Sequence, residues 1–424
     1  MDLFQIVAVL ITLTAGFSYV NARWLKLPAS IGLMLMSLVL SVVLIALSLA
    51  GAPLGKYLPG LMEQIDFGVL VLRGMLGFLL FAGALHVKLD DLAENKWQIA
   101  TFATVGLAIS TFVVGTLTYL LLRAAGFDLA YIHCLLFGAL ISPTDPIAVL
   151  AIMRKVGAPR RLETEITGES LFNDGIGVVV FLTLLEVAGG SREFGAADMV
   201  HLFAQEAVGG IVLGLALGYA GYRLIKSLDN YRVEALITLA LVTGGYALAD
   251  VLGASGPLAM VVAGLLIGNP GRRLAMSART REHLDIFWEL VDEVLNALLF
   301  VLIGLEALVI QHLAGTNLLP WLGAGLAAIP IVLLARLASI GIPRWLLSFR
   351  MSFPRGTVRV LTWGGLRGGL CIAMALSLPR NTEAEQSVRN LILTMTYVVV
   401  AFSILVQGLT INRLVKKTLP AAGA

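Results

Sequence analysis

Apolar segments of membrane-spanning length follow one another along the whole chain. The sequence has 424 residues, of which 58% are hydrophobic and 13% are charged, whereas a soluble domain carries about 25% charged residues. A helix that crosses a bilayer needs about 20 predominantly apolar residues. The pattern predicts an all-α integral membrane protein that crosses the bilayer many times, and it excludes a soluble domain with a single anchor.

Thirteen segments reach spanning length, and we number them spans 1 to 13. They cover residues 3–20, 30–50, 69–87, 97–122, 132–153, 167–188, 205–225, 233–250, 254–270, 288–310, 319–340, 358–378 and 391–412. The first has no basic residues before it, so we interpret it as a membrane helix and not as a removed signal peptide. We therefore expect one transmembrane domain over residues 1–424, without a soluble regulatory domain.

The positions of Lys and Arg predict the orientation of the chain. If the N-terminus is outside, the loops after odd-numbered spans carry 22 of the 30 Lys and Arg residues and the other loops carry 6. The remaining two, Arg336 and Arg367, lie within predicted spans. Because Lys and Arg are enriched in cytoplasmic loops, we expect a cell (inner) membrane protein with its N-terminus outside and its C-terminus in the cytoplasm.

Two of the predicted spans contain residues that break helices. If span 7 links two inverted six-helix repeats, span 5 corresponds to span 12. Span 5 contains ISPTDPIAVL (141–150), in which Pro143 and Pro146 lack an N–H and clash with carbonyls four residues back. Span 12 contains WGGLRGGL (363–370), where glycines surround Arg367. Paired broken helices at matching positions indicate the binding site of a transporter, so we expect spans 5 and 12 to cross there.

The break in span 5 holds two polar residues, Thr144 and Asp145, between its prolines. Carbonyl groups released in a membrane need partners, and a cation is one candidate. Asp145 can also lie at the positive N-terminal end of a half-helix. The alternative interpretation is a proline kink whose polar groups are satisfied by neighbouring helices.

Span 6 places charged and polar residues within a very apolar region, in GESLFNDGIG (168–177). On a helix, its polar residues share one arc and its apolar residues share the other. The polar residues are Glu169, Ser170, Asn173 and Asp174. One face of this helix is therefore predicted to point into a polar cavity within the protein.

The acids on this face suggest a division of roles. Arg367 in mid-span costs at least about 2.5–3.5 kcal/mol on insertion scales, so it needs a buried anion, and we expect Glu169 to form that ion pair. Asp174 would then lack a fixed partner and could take a proton or a metal cation, while Asn173 could hydrogen-bond the backbone of span 5. The alternative is a satisfied structural network with no role in transport.

The motifs SPTDPIAVLAI, GESLFNDGIGVVVF and GLRGGL resemble those of NhaP-type sodium/proton antiporters. These are prokaryotic relatives of the NHE exchangers within the monovalent cation:proton antiporter family, and the resemblance covers nearly the whole chain. It implies a transporter, not an enzyme, that exchanges Na⁺ (or Li⁺) for H⁺ without a cofactor. The partners it implies are monovalent cations, protons, the lipid bilayer and a second copy in a homodimer, with no nucleic acid.

The resemblance also implies roles for individual residues. Asp174 looks like the carboxylate that binds the proton and the cation, and Asn173 like the neighbour typical of electroneutral members. The positions that match the rest of the family's site are Asp145, Ser170 and the Thr144 carbonyl as further ion ligands, and Glu169 and Arg367 as a buried ion pair. The region 78–89 of span 3 has no acid, although some archaeal members add a glutamate there.

Family members work by an elevator-like motion, which divides the chain into two parts. A core bundle of about 97–188 and 319–412 would move against a dimerisation scaffold formed by the remaining helices. The closest alternative is K⁺/H⁺ exchange on the same scaffold. A passive cation channel and an intramembrane aspartyl protease are more distant alternatives. The protease would use Asp145 and Asp174 as an acid dyad, but it leaves the paired prolines and the mid-span Arg367 without a role.

Two further sets of charges lie in predicted spans. Arg336 in span 11 is expected to pair with one of the intramembrane acids, without an indication of which. Glu289, Asp292 and Glu293 open span 10. They either line the inner mouth of the transporter or form an acidic helix N-terminus that the helix dipole favours.

Overall fold

The computed structural model describes residues 3–49, 67–156, 160–189, 196–314, 318–348 and 356–418, and these residues are almost entirely helical. We label the main helices α1 to α16. They are α1 (Leu3–Val20), α2 (Ala29–Leu49), α3 (Leu70–His86), α4 (Leu89–Glu94), α5 (Lys96–Ala124), α6 (Tyr131–Ile141), α7 (Ile147–Val156), α8 (Arg160–Ala188), α9 (Ala196–Lys226), α10 (Tyr231–Leu252), α11 (Gly256–Leu266), α12 (Ala278–Ala314), α13 (Leu318–Leu347), α14 (Thr357–Gly364), α15 (Gly369–Leu376) and α16 (Glu383–Thr418).

The helices have the length and composition of membrane helices. Within the described ranges, seven of them are long and apolar enough to cross a bilayer, namely α2, α5, α8, α9, α10, α13 and α16. Large apolar side chains also face outward; Val251 is 82% and Leu319 is 81% exposed, for example. An all-helical integral membrane protein is confirmed, whereas thirteen spans and the inverted repeat stay predictions.

The observed helices are longer than the apolar segments that predicted them. Span 6 was predicted over 167–188, but α8 begins at Arg160, and span 13 was predicted over 391–412, but α16 runs from Glu383 to Thr418. The extra turns are polar, so a hydropathy criterion does not detect them although their hydrogen bonds continue the helix. The last residue of span 2, at position 50, lies outside the described residues.

The helices pack as two sets. One set contains α1, α2, α3 and α9 to α12, in which α12 packs along α2 and α11 packs between α3 and α9. The other contains α5 to α7 and α13 to α16, in which α13 packs between α5 and α16. Helix α8 contacts α6 of one set and α9 and α11 of the other. The idea that the second set moves as a transport bundle stays a prediction.

The predicted interruptions of spans 5 and 12 are confirmed. Helix α6 ends at Ile141 and α7 begins at Ile147, while α14 ends at Gly364 and α15 begins at Gly369. The two unwound segments meet, because the backbone N–H of Asp145 donates to the carbonyl of Leu366 at 2.8 Å and forms an isolated antiparallel bridge. The breaks therefore lie against each other inside the protein.

Candidate ion-binding site

The carbonyl groups released by the break between α6 and α7 are hydrogen-bonded by side chains. Nη1 of Arg367 donates to the carbonyl of Ser142 and, at 3.0 Å, to that of Pro143. The hydroxyl of Ser170, on α8, donates to the carbonyl of Thr144. Three successive carbonyls that helix geometry leaves without partners are thus satisfied within the protein, as a membrane environment requires.

Asp145 is fixed by both breaks. Its N–H bonds Leu366 across the crossing, and its Oδ1 accepts the N–H of Ile147 at 2.9 Å, which places the carboxylate at the positive N-terminal end of α7. Gly368 makes this position possible, because a Cβ at Gly368 would lie 2.7 Å from Oδ2 of Asp145. The absence of a side chain at Gly368 therefore gives the Asp145 carboxylate room.

Asp174 lies on the face of α8 that carries Ser170 one turn earlier. Its side chain is half-buried and interacts electrostatically with Asp145 and Arg367. The ion pairs found in the described ranges do not include Asp174. The structure therefore brings together Asp174, Asp145, Ser170 and the Thr144 carbonyl.

The predicted ion pair between Glu169 and Arg367 is wrong. Glu169 instead pairs with Arg336 of α13 through both carboxylate oxygens, with Nη2 of Arg336 at 3.1 Å from Oε2, and both side chains are buried. Arg336 can reach this position because a Cβ at Gly365 would overlap its guanidinium group. Arg367 is occupied by carbonyls of the unwound segment, so the unknown partner of Arg336 is Glu169.

The bond that Asn173 could form with the backbone of span 5 is not found among the described residues. Asn173 is buried, and its Oδ1 has no hydrogen-bond partner among the residues that the structure describes. The carbonyls of residues 142–144 already receive donors from Arg367 and Ser170. The amide of Asn173 is therefore not needed to satisfy this backbone.

Of the three acids that open span 10, only Asp292 points toward the protein interior. Glu289 and Glu293 are exposed, whereas Asp292 is half-buried, bonds Asn296 and acts electrostatically on Asp145. The alternative that these acids form a helix N-terminus is wrong, because α12 begins at Ala278 and they lie inside it.

The sequence analysis missed two residues that bind the second break. Ser403 Oγ accepts the N–H of Arg367 at 2.9 Å, and Nε2 of Gln407 donates to the carbonyl of Trp363 at 3.0 Å. Both lie in the π-helical turn Ser403–Gln407 of α16. The available signal was a pair of polar residues four apart within the apolar segment AFSILVQGLT (401–410).

The sequence profile described as "Sodium/hydrogen exchanger, transmembrane" matches residues 9–417. The chain belongs to the sodium/hydrogen exchanger family. It is 48% identical over 424 residues to the Na(+)/H(+) antiporter NhaP of Pseudomonas aeruginosa, covering 97% of this chain and 96% of the relative. It is 36% identical over 404 residues to the Na(+)/H(+) antiporter NhaH of Halobacillus dabanensis, covering 93% of each chain.

Solved structures share the architecture. The sodium proton antiporter MjNhaP1 from Methanocaldococcus jannaschii matches with a TM-score of 0.74 and 22% identity over 98% of both chains. A second structure of MjNhaP1, at pH 8, matches with a TM-score of 0.68 and 20% identity over 93% of this chain and 99% of that one. At these identities the likeness shows a common fold.

The pairing of Glu169 with Arg336 can be tested by a double-mutant cycle. Glu169→Gln and Arg336→Gln should each destabilise the purified protein by about 3–5 kcal/mol, because each leaves an uncompensated buried charge. The double variant should lose less than the sum, with a coupling of up to about 3 kcal/mol. Thermal unfolding in detergent, followed by tryptophan fluorescence, measures the three variants.

The control is a second double-mutant cycle, in which Arg367 is mutated instead of Arg336. Glu169→Gln combined with Arg367→Gln should show a smaller coupling than the first cycle, because Arg367 interacts with the Glu169 carboxylate only electrostatically and hydrogen-bonds carbonyls instead. Strong coupling in this second cycle together with additivity in the first would support an ion pair between Glu169 and Arg367 and contradict the pairing of Glu169 with Arg336.

Proposed function

We propose that the protein exchanges Na⁺ (or Li⁺) for H⁺ across the membrane, at one site where the two broken helices cross. The observation that carries this proposal is the grouping of Asp174 and Asp145 with the Ser170 hydroxyl and the Thr144 carbonyl. The names of the relatives, Na(+)/H(+) antiporters NhaP and NhaH, support Na⁺ as the transported cation.

The proposed ligands suit a small monovalent cation. Among the described residues, no group of three or more His, Cys, Asp or Glu side chains is arranged to hold a metal ion. The site instead combines two carboxylates with a hydroxyl and a backbone carbonyl. Unwound carbonyls of this kind coordinate Na⁺ in transporters built on broken helices, and the Ser170 and Thr144 oxygens, which touch each other, keep further lone pairs for a cation.

The charges around the site lead to competition between the two ions. Arg336 neutralises Glu169, and Arg367 lies within electrostatic reach of Asp174. If Asp174 takes either one proton or one Na⁺, the loaded site carries the same net charge in both cases. A site with neither ion would add a negative charge, which costs at least about 2.5–3.5 kcal/mol within a bilayer. The loaded site therefore crosses more readily than the unloaded one, which couples the two fluxes.

The site would face each side of the membrane in turn. In this proposal the helices of about 97–188 and 319–412 move as a bundle against the remaining helices, which form the dimerisation scaffold of a homodimer. The packing of the broken helices into one set with α5, α13 and α16 supports such a unit. The excess of Lys and Arg after odd-numbered spans supports an outside N-terminus and a cytoplasmic C-terminus.

Replacing the titratable carboxylate should stop exchange. We expect Asp174→Asn to reduce Na⁺-driven proton movement at least about 100-fold. The substitution removes the carboxylate that would bind Na⁺ and H⁺, while it keeps the volume of the side chain. The measurement is dequenching of a pH-sensitive dye in everted vesicles upon addition of Na⁺. Asp128→Asn, at an exposed position, is the matched control and should behave as wild type. Persisting exchange in Asp174→Asn would remove Asp174 from the mechanism.

Competition between H⁺ and Na⁺ makes a quantitative prediction. A cation that binds a carboxylate must displace its proton, so in the acidic range each unit decrease in pH should raise the apparent KM for Na⁺ about ten-fold. The maximal rate at saturating Na⁺ should change little. Initial rates at several Na⁺ concentrations and pH values test this, and a KM that is constant while the maximal rate falls would show that protons act elsewhere.

Exchange of one cation for one proton should be electrically silent. Proteoliposomes on a solid-supported membrane should give no net charge displacement upon a Na⁺ step, although dye measurements on the same preparation show proton movement. An ionophore that carries Na⁺ confirms that the membrane is able to report current. A sustained protein-dependent current would rule out a one-to-one ratio.

A further inference from the structure

The break between α14 and α15 releases backbone groups at both of its ends. On one side the carbonyl of Trp363 has lost its helical donor, and on the other the N–H of Arg367 has lost its helical acceptor. Within the break, the N–H of Leu366 bonds the carbonyl of Gly364 at 2.8 Å, and the carbonyl of Leu366 accepts from Asp145. The break therefore depends on outside partners at its two ends.

Both outside partners come from one turn of α16. Ser403 accepts from Arg367 N–H and Gln407 donates to Trp363 carbonyl, and both side chains are buried. The turn is π-helical, since the N–H of Gly408 bonds the carbonyl of Ser403. Residues four apart lie on the same face of a helix, so the two side chains can bond opposite ends of the same break.

We propose that Ser403 and Gln407 are positioning residues for cation binding, an inference that rests on the exchange site proposed above. Among the described residues, the hydrogen bonds of their side chains go to Arg367 and Trp363 and not to Asp174 or the proposed ion ligands. They fix the ends of the segment 364–367, whose Leu366 carbonyl in turn holds the N–H of Asp145. The π-helical turn of α16 thereby sets where the Asp145 carboxylate lies opposite Asp174.

The contacts that run from Ser403 and Gln407 through Leu366 to Asp145 should affect the binding of Na⁺ and not the binding of the proton. A proton needs only the Asp174 carboxylate, whereas Na⁺ needs several oxygens at fixed distances. Loosening the break should displace Asp145 and weaken Na⁺ binding, and it should leave the turnover of a saturated site nearly unchanged. Variants of Ser403 and Gln407 should therefore change the KM for Na⁺ without changing the maximal rate. A purely structural role would not produce this separation.

The test uses full-length protein in proteoliposomes, with Na⁺-driven proton movement measured over a range of Na⁺ concentrations. Ser403→Ala and Gln407→Leu should each raise the KM for Na⁺ about ten-fold, because a buried backbone group is left without its partner. The maximal rate should change less than about two-fold. Ser403→Thr keeps the hydroxyl and should retain a KM close to that of wild type.

Thr396→Val is the matched control. Thr396 is buried in the same helix, but its hydroxyl bonds the carbonyl of Ile392 in that helix. The KM of the Thr396→Val variant for Na⁺ should therefore equal that of wild type. Size-exclusion profiles and melting temperatures of all variants report folding. An unchanged KM in both Ser403→Ala and Gln407→Leu would overturn the proposal. So would loss of folded protein in both while Thr396→Val folds, because the side chains would then serve stability alone.

Asp174→Asn, assayed in the same vesicles, separates this inference from the proposed function. If Asp174→Asn abolishes exchange and the α16 variants keep a wild-type KM, only the positioning role fails. If Asp174→Asn retains exchange, the site itself is misassigned and the positioning role, which depends on that site, is overturned with it.

Discussion

Backbone groups that leave a helix inside a membrane must be hydrogen-bonded within the protein, and this constraint organises the centre of the molecule. Two helices break, and each break supplies part of what the other needs. The N–H of Asp145 meets the carbonyl of Leu366, and the guanidinium of Arg367 meets the carbonyls of Ser142 and Pro143. Ser170, Ser403 and Gln407 bond three further groups, namely the Thr144 carbonyl, the Arg367 N–H and the Trp363 carbonyl. The proposed ion site is the place where this arrangement brings two carboxylates together.

The same constraint separates two kinds of buried charge. Arg336 and Glu169 satisfy each other directly and form a pair whose charges cancel. Arg367 donates from Nη1 to two carbonyls, and its Nη2 has no hydrogen-bond partner among the described residues. Its positive charge is therefore not paired with one carboxylate and acts on both Glu169 and Asp174. Asp174 is thus placed in a field set by groups that do not themselves need to move protons.

Much of this arrangement could be predicted from the sequence, because it depends on local chemistry. Pro143 and Pro146 cannot continue a helix, and the polar face of residues 168–177 follows from helical spacing alone. The partner of Glu169 could not be predicted, since Arg336 and Arg367 both lie in mid-span and the choice depends on how α13 packs against α8. Ser403 and Gln407 are polar residues four apart in an apolar segment, but that spacing does not reveal that they bond the break between α14 and α15.

The distance along the chain between the two breaks has a consequence for biosynthesis. Arg367 lies 225 residues after Ser142, and a membrane chain is made and inserted from its N-terminus. The carbonyls of Ser142 and Pro143 therefore enter the bilayer long before their donor, Arg367, is synthesised. During that interval these carbonyls have to be solvated by water or shielded by the insertion machinery. The hydrogen bonds at the centre of the protein are thus completed late, after α14 to α16 have been synthesised and inserted.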